Sequence, residues 1–490
     1  MCRGTAGGQL RERSAAPVRL SSATSVSFTA VDTIQVHTRR ASVILLVVVA
    51  VVAACNSASG PSPASSSTSP ICGNGVAEPS EECDDGNAQN ADGCLTTCQT
   101  PANWVPSDVH VHSTGCGHYS SPEDLARRLK AQGLQVGAAL VWGEGYDDDA
   151  MLFTGRDHPA SGPGFILHYD MEVSHFAAAR TGHLILLGLD SLRFSNDVIN
   201  TPASGVPVIE WARRQPRAVV GMAHGQYWPD DGSFPVPPGG CCVPWEVVVN
   251  AVRGRLDLLS MERVPGQGPV DAGTFRLWKA IQNAGFRLAI AGGSDWGCLT
   301  HVFSGDTPRT DVIVDGPLTY ESWLKAIKAG RTAAANGAAN RLNLRVEGRR
   351  LGDEVPLAAS QDVTVTVETA GSSPADIEVL VNGEVAGRVP VAAGSQVAQL
   401  RVPILRSSWI TARSPHVLTS PVYVLVGGQP IRASANDVCY LWRSIKDLEG
   451  LVTSGRLRLS DSRDEALRAY GEAVTELQRR FTESGGQFCR

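Results

Sequence analysis

Between Trp104 and about Gly337 the chain alternates short apolar runs with helix-like segments, and this alternation constrains its fold more than any other feature. The runs 105–111, 136–141, 165–173, 184–189, 218–222, 256–261 and 288–291 read as strands. Segments 122–131, 270–284 and 320–329 carry apolar residues at helical spacing. Strand and helix in alternation predict an α/β fold with a parallel core, closed as a barrel or left as an open sheet.

The polar residues that interrupt this pattern fall mostly at strand ends. The first run closes on Asp108-Val109-His110-Val111-His112. Residues two apart on a strand point to one side, so His110 and His112 can grip one ion together. Glu172 ends the third run, His183 begins the fourth, His224 follows the fifth and Asp295 follows the last. In a parallel α/β barrel the C-terminal strand ends converge on one mouth, where catalysis belongs. Imidazoles mixed with carboxylates suit zinc, manganese or iron. One such residue alone is weak, since a buried acid often only pairs with arginine. Four histidines and two acids, in alternating α/β order, point to a metal centre.

The flanking regions differ in character. After Asn340, short alternating strands at 342–346, 363–368, 377–381, 399–402, 410–413 and 422–426 predict a β-sandwich of immunoglobulin-like size. Two helices near 437–452 and 461–483, joined through Gly450 and Gly455, predict an antiparallel hairpin. Cys439 opens the first and Cys489 follows the second, which predicts a disulfide between them.

At the other end, Arg39-Arg40 precede an apolar run at 43–52 and then Ala53-Ala54-Cys55, the pattern of a secretory signal. The run is short of the roughly 20 apolar residues a membrane span needs, although an uncleaved single-pass anchor is the alternative. Either reading places the rest of the chain outside the cytoplasm. Residues 1–38 are unusual ahead of such a signal, and Val31 or Val36 would serve as alternative starts. The Ser/Pro stretch 56–70 is a linker with nothing to bury. Cys72, Cys83, Cys94 and Cys98 then crowd a polar segment that has no core of its own, so two disulfides are expected to stabilise it. Their spacing lacks the paired CxxC of zinc sites. Asp84, Asp85, Asn87 and Asp92 offer hard oxygens of the kind calcium prefers, or are solvated turn formers. Twelve cysteines in 490 residues fit an oxidising compartment, and a net charge of -6 gives no electrostatic reason to bind nucleic acid. The expected organisation is a lipoprotein signal region (1–55), linker (56–70), disulfide-rich repeat (71–100), barrel (101–340), sandwich (341–432) and helical hairpin (433–490).

Several of these motifs resemble known families. Val52-Ala53-Ala54-Cys55 resembles a lipobox, which implies lipidation of Cys55 and anchoring at the cell envelope. The pieces CGNG, EECDDGN and DGCLTTC within 72–98 resemble the Myxococcus cysteine-rich repeat of surface proteins. DVHVHS at 108–113, SPEDLARRLKAQGLQVGA at 121–138, Glu172 with Thr181-Gly182-His183, AHG at 223–225, AGGSDW at 291–296 and the 318–337 tail resemble the PHP superfamily. Within it they are similar to the carbaryl-hydrolase-like (CehA/McbA) metallohydrolases, and WITARSPHVLTSPVYV at 409–424 extends the similarity. The resemblance implies a distorted seven-stranded (β/α) barrel and hydrolysis of phosphoesters or of carbamate and carboxyl esters.

The departures are concentrated. Leu140-Val141-Trp142 stands where the family usually has Thr-Asp-His, Asp295-Trp296-Gly297 replaces Asp-x-His, and Gly117 replaces an acid. In trinuclear relatives those three groups hold one ion, so the resemblance implies a binuclear remainder. His110, His112, Glu172 and Asp295 would take one ion; a bridging Glu172 with His183 and His224 would take the other. His118 and His301 follow the first and last motifs as acid candidates, or are surface histidines. Trp142 and Trp296 would line the pocket or fill the lost ion's space. Glu144 and Asp147-Asp148-Asp149 read as a solvated acidic loop, and Glu262 as either an outer ligand or a structural acid. Cys116, Cys298 and Cys241-Cys242 are expected to staple active-site loops rather than bind metal. The leading expectation is an exported two-metal ester hydrolase acting on a small molecule. The rival is a degenerate surface-binding lipoprotein that keeps the barrel.

Overall fold

The computed structural model describes residues 71–78, 81–90, 94–142, 146–174, 181–194, 203–228, 242–262, 272–299, 303, 307–337, 340–372, 374–487 and 489. The signal region, linker, Cys55, Asp92, Glu144, Cys241 and His301 lie outside the described residues. Among the described residues no helix is long and apolar enough to cross a membrane.

The chain is mixed α/β. Its large sheet curls through the strands Trp104–Val111, Val136–Val141, Ile166–Val173, Leu184–Leu187, Val219–Met222, Leu258–Met261 and Ala289–Gly292, each paired with the next. Val136–Val141, Leu184–Leu187, Val219–Met222 and Ala289–Gly292 form because each is an unbroken apolar run buried on both faces. Trp104–Val111, Ile166–Val173 and Leu258–Met261 are buried too, Trp104 only partly, but carry polar residues among the apolar ones. The curl brings the end of the series back to its start. Val111 bridges Trp296, and the Asp295 amide donates to the His110 carbonyl at 2.8 Å.

The core is not wholly parallel, as the alternation alone predicts. Leu184–Leu187 runs antiparallel to both Ile166–Val173 and Val219–Met222. The physical reason lies in the connection: too few residues separate Val173 from Leu184 for the helical crossover that a parallel return requires. The reversal has a functional effect. His183, at the start of its strand, arrives at the same end of the sheet as the C-terminal ends of the parallel strands.

The helix Pro122–Ala131 starts at Ser121, whose hydroxyl caps the Asp124 amide, and buries Leu125 and Leu129 against the sheet. The helix Tyr320–Lys328 begins with a reciprocal Thr319/Ser322 cap and buries Trp323 and Ile327.

Beyond residue 340 two sheets enclose a second apolar core. Asn340–Val346, Gln361–Gly371 and Gly394–Ile404 form one antiparallel sheet. The other is continuous with the large sheet, because Val417–Thr419 pairs with Thr332–Asn336. Ile313, Ala333 and Ala335 therefore share a core with Leu344, Val365 and Ile410.

The C-terminal helices Ala435–Thr453 and Arg463–Glu483 pack together and against Ala272–Asn283 and Val247–Val252. Leu441, Ile445 and Leu448 form the buried face of the first, each contributing roughly 1.5–3 kcal/mol on burial. The disulfide Cys439–Cys489 closes the hairpin.

The cysteine-rich segment is cross-linked by Cys72–Cys98 and Cys83–Cys94. Its described carboxylates cap turns, one of the two roles the sequence leaves open. Asp84 Oδ2 accepts from the amides of Gly73 (2.8 Å) and Asn74 (3.1 Å), and Oδ1 from Gly75 and Gly86 (both 2.8 Å). Four donors fill all of its lone pairs, and their N–H dipoles would oppose a cation. Asp85 accepts from the Cys94 amide and Asn87 from the Gln89 amide in the same way. The four disulfides described fit an oxidising, extracytoplasmic compartment.

Candidate metal centre

Two groups of donor atoms meet at the mouth of the curled sheet. In the first, Nε2 of His110 and Nε2 of His112 lie 3.2 Å apart. Oε2 of Glu172 is 3.3 Å from the former and 3.2 Å from the latter. Oδ1 of Asp295 is 3.7 and 3.1 Å from the same two atoms. Tetrahedral donors at roughly 2.0–2.1 Å from a shared zinc ion would stand roughly 3.4 Å apart, so these spacings are those of a coordination shell.

In the second group, Oε1 of Glu172 lies 2.9 Å from His183 Nδ1 and 4.0 Å from His224 Nε2. The two imidazole nitrogens are 3.0 Å apart. Glu172 thus turns one oxygen to each group. Cys242 also reaches the second group, but its sulfur is in a disulfide and has no thiolate to offer.

The tautomers support a cation. His112 Nδ1 faces the Leu140 carbonyl at 3.1 Å, and a carbonyl can only accept, so that nitrogen carries the proton. Its neutral form then presents a lone pair inward. His110 Nδ1 faces Glu262 Oε1 at 3.2 Å, which directs its Nε2 inward likewise. Two lone pairs and two carboxylates converging on one point repel each other unless positive charge lies between them. Burial would push His110 down, yet Glu172 and Asp295 hold it well above the ordinary imidazole value. His112, also desolvated, is pushed up to about 9 by Asp295 and Glu172. Burial would raise Glu172, but His110 and its neighbours hold it well below the usual carboxylate range. The residues fit a divalent ion, which would replace those protons.

Glu262 is the residue whose part the sequence leaves open. It sits behind the ligands. Oε1 meets His110 Nδ1, while Oε2 takes the His224 backbone amide at 2.6 Å and faces His224 Nδ1 at 3.3 Å. Ser260 Oγ donates to it at 2.5 Å. Fully desolvated, it is nonetheless held well below the usual carboxylate range by His110 and His224. A carboxylate so placed fixes the orientation and tautomer of one imidazole in each group.

Backbone strain concentrates here. His224 (φ 61°) and Asp295 (φ 47°) both adopt the left-handed region, which turns each side chain inward just past its strand. Asp108 braces the approach: Oδ1 accepts the amides of His110 and Ser294, both at 3.0 Å, and burial pushes its carboxyl up to about 7.

At the corner formed by residues 117, 142 and 297, Trp142 and Gly297 are buried against their neighbours, whereas Gly117 is exposed with open space beside it. The Trp142 indole lies 5.3 Å from the His112 ring and donates to the Thr114 carbonyl at 2.7 Å. A β-carbon on Gly115 would fall 2.2 Å from Trp142 Nε1, so only glycine admits the indole. Cys116–Cys298 joins the loops that follow the first and last motifs. Trp296 is 1% exposed, stacked on Phe303 and met edge-on by His118, so it is packing rather than an open pocket wall. His118 meets the Trp296 ring edge-on at 4.3 Å and joins neither donor group. Asp149 accepts from Thr114 Oγ1 at 3.0 Å, on the same wall.

Tyr227 is absent from the sequence-derived set. Its phenol stands at the mouth, 39% exposed, with its ring 5.7 Å from that of His224. Burial, with the carboxylates of Asp295 and Glu262 nearby, raises its pKa above the usual phenol value, so the phenol keeps its proton. Its position three residues after His224 was the only sequence signal.

Among known families, residues 54–99 match a domain of unknown function, DUF4215. No curated protein matches the chain. Among solved structures, the chain is similar to a two-domain protein from Bacteroides vulgatus described as containing a predicted PHP-like metal-dependent phosphoesterase. Identity is 13%, over 70% of this chain and 98% of that one, with a TM-score of 0.37. It also matches the CARDB domain of a Pyrococcus furiosus protein at 18% identity, over 18% of this chain and 96% of that one, with a TM-score of 0.14.

Proposed function

We propose that the chain is an exported, metal-dependent hydrolase that cleaves a phosphoester, or a carbamate or carboxyl ester, of a small molecule at a binuclear centre. The observation that carries this reading is Glu172, whose two oxygens serve two separate sets of imidazoles. Zinc, manganese or iron in such a pair would polarise an ester oxygen and acidify water near neutral pH. The protein's own residues have distinct tasks in this reading. His110, His112 and Asp295 define one subsite and His183 and His224 the other, with Glu172 between them. Glu262 keeps two of the imidazoles in the ligating tautomer. Tyr227 offers a phenol O–H to the substrate's oxygen, while His118 or His301 would protonate the leaving group. The fold we assign is a distorted seven-stranded (β/α) barrel of the PHP, CehA/McbA-like type, followed by an immunoglobulin-like sandwich. Lipidation at Cys55 would hold the enzyme at the cell envelope, and nucleic acid is no partner.

The Trp142 indole, packed against Gly115 beside His112, favours a second reading, a surface-binding protein that retains the barrel without turnover. Metal analysis of the purified protein, paired with a screen of phosphodiester, carbamate and carboxyl-ester substrates, separates the two. Two ions per chain with hydrolysis abolished in His110→Ala is the expected result. A well-folded protein that binds no metal and turns over nothing would sink the enzyme reading.

A further inference from the structure

The two donor groups differ in how they are held. The first is braced from within the sheet by Asp108, Leu140 and Glu262. The second is also tied to the C-terminal helical hairpin, by two separate routes. Glu246, fully buried, lies on one of them. Its Oε1 accepts from Tyr470 Oη of the helix Arg463–Glu483 at 2.6 Å. Its Oε2 accepts from Thr181 Oγ1 at 2.7 Å, and its amide donates to the Thr181 carbonyl at 3.0 Å. Thr181 is two residues before His183. Gly182 between them has φ 126°, and a β-carbon there would sit 2.9 Å from Pro244 Cα, so the path to His183 is tightly fixed. The other route ends four residues after His224: Trp228 Nε1 donates to Tyr440 Oη of the helix Ala435–Thr453 at 2.5 Å. Tyr440 adjoins Cys439, whose disulfide with Cys489 closes the hairpin.

We infer that the C-terminal hairpin is a working part of the second metal subsite, with Tyr470 and Tyr440 as positioning residues for His183 and His224. Hydroxyl donors to a desolvated carboxylate are directional and strong, so Tyr470 fixes where Glu246 places Thr181. Groups behind metal ligands set the ligands' orientation; losing a direct partner typically lowers affinity about 10- to 100-fold, and these hydroxyls act on the same orientation through the backbone that carries each histidine. The inference rests on the binuclear reading above and adds an asymmetry to it: the hairpin should tune one ion and leave the other alone.

Zn2+ titration of the chelator-stripped full chain tests this, comparing wild type with Tyr470→Phe, Tyr440→Phe and Glu472→Gln. The last removes the hairpin's exposed contact to Arg253 and leaves both tyrosine hydroxyls in place. Two ions in the wild type, with the weaker or second affinity lowered about 10- to 100-fold in both Phe variants and the other affinity unchanged, is the expected outcome. Both affinities unchanged, or both lowered together in step with thermal stability, would overturn the inference while leaving the binuclear reading intact. A wild type holding fewer than two ions would remove that reading, and this inference with it.

Discussion

Glu172 and Glu262 hold the same two imidazoles from opposite ends. Each of His110 and His224 turns Nε2 toward Glu172 and Nδ1 toward Glu262. One carboxylate stands with the ligands and the other behind them, so their removal should have different consequences.

Glu262→Gln should lower metal affinity about 10- to 100-fold while leaving two ions bound at saturation, because no donor is lost. Glu172→Ala should abolish both ions at once. Calorimetric titration distinguishes them. Equal loss in the two variants would show that Glu262 is itself a ligand.

Metal binding should release protons. In the metal-free protein His112 is raised to about 9, so at neutral pH it carries a proton that an incoming ion must displace. The sign follows from that raised value. Protonation of His112 stabilises the metal-free fold fully below about 6.5. That contribution fades as pH climbs through about 9. Metal affinity should therefore strengthen from pH 6 to 9. Titration in buffers of different ionisation enthalpy counts the protons, and affinity that is flat over this range would contradict the assignment.

His224 combines a proposed ligand role with a left-handed backbone. Asn tolerates that conformation and Val does not. His224→Asn should lose one ion at little cost to folding, whereas His224→Val should lose it and also about 1–2 kcal/mol more in denaturant unfolding. Equal unfolding free energies would show that the conformation carries no strain.

The Cys116–Cys298 disulfide spans 182 residues of chain. Replacing both with Ser should cost roughly 2–4 kcal/mol by relaxing the unfolded chain's constraint. It should also expose Trp296, which is read as a red shift in emission.

What the sequence made legible follows from distance along the chain. His110 and His112 were readable because a strand's two-residue repeat places them together without further information. Glu172, His224 and Asp295 followed from strand ends alone. His183 sat at a strand's beginning, and its convergence on the mouth depended on the antiparallel course of Leu184–Leu187, which the alternation hid. Glu262 could not be assigned, because its role is defined by two imidazoles 152 and 38 positions away. Glu246 and Tyr470, 224 positions apart, left no local signal either. Asp84 in the sequence fits either calcium or a turn, because only the four surrounding amides, set by the fold, show what its oxygens accept.

The pairing of Val417–Thr419 with Thr332–Asn336 carries one further consequence. A single hydrogen-bonded sheet crosses from the part that holds the ligands into the part that does not, and a sheet has no pivot along its ladder. The two halves are therefore joined by backbone hydrogen bonds and not by a linker alone. Any swing of the C-terminal strands away from the donor groups would first have to break that ladder.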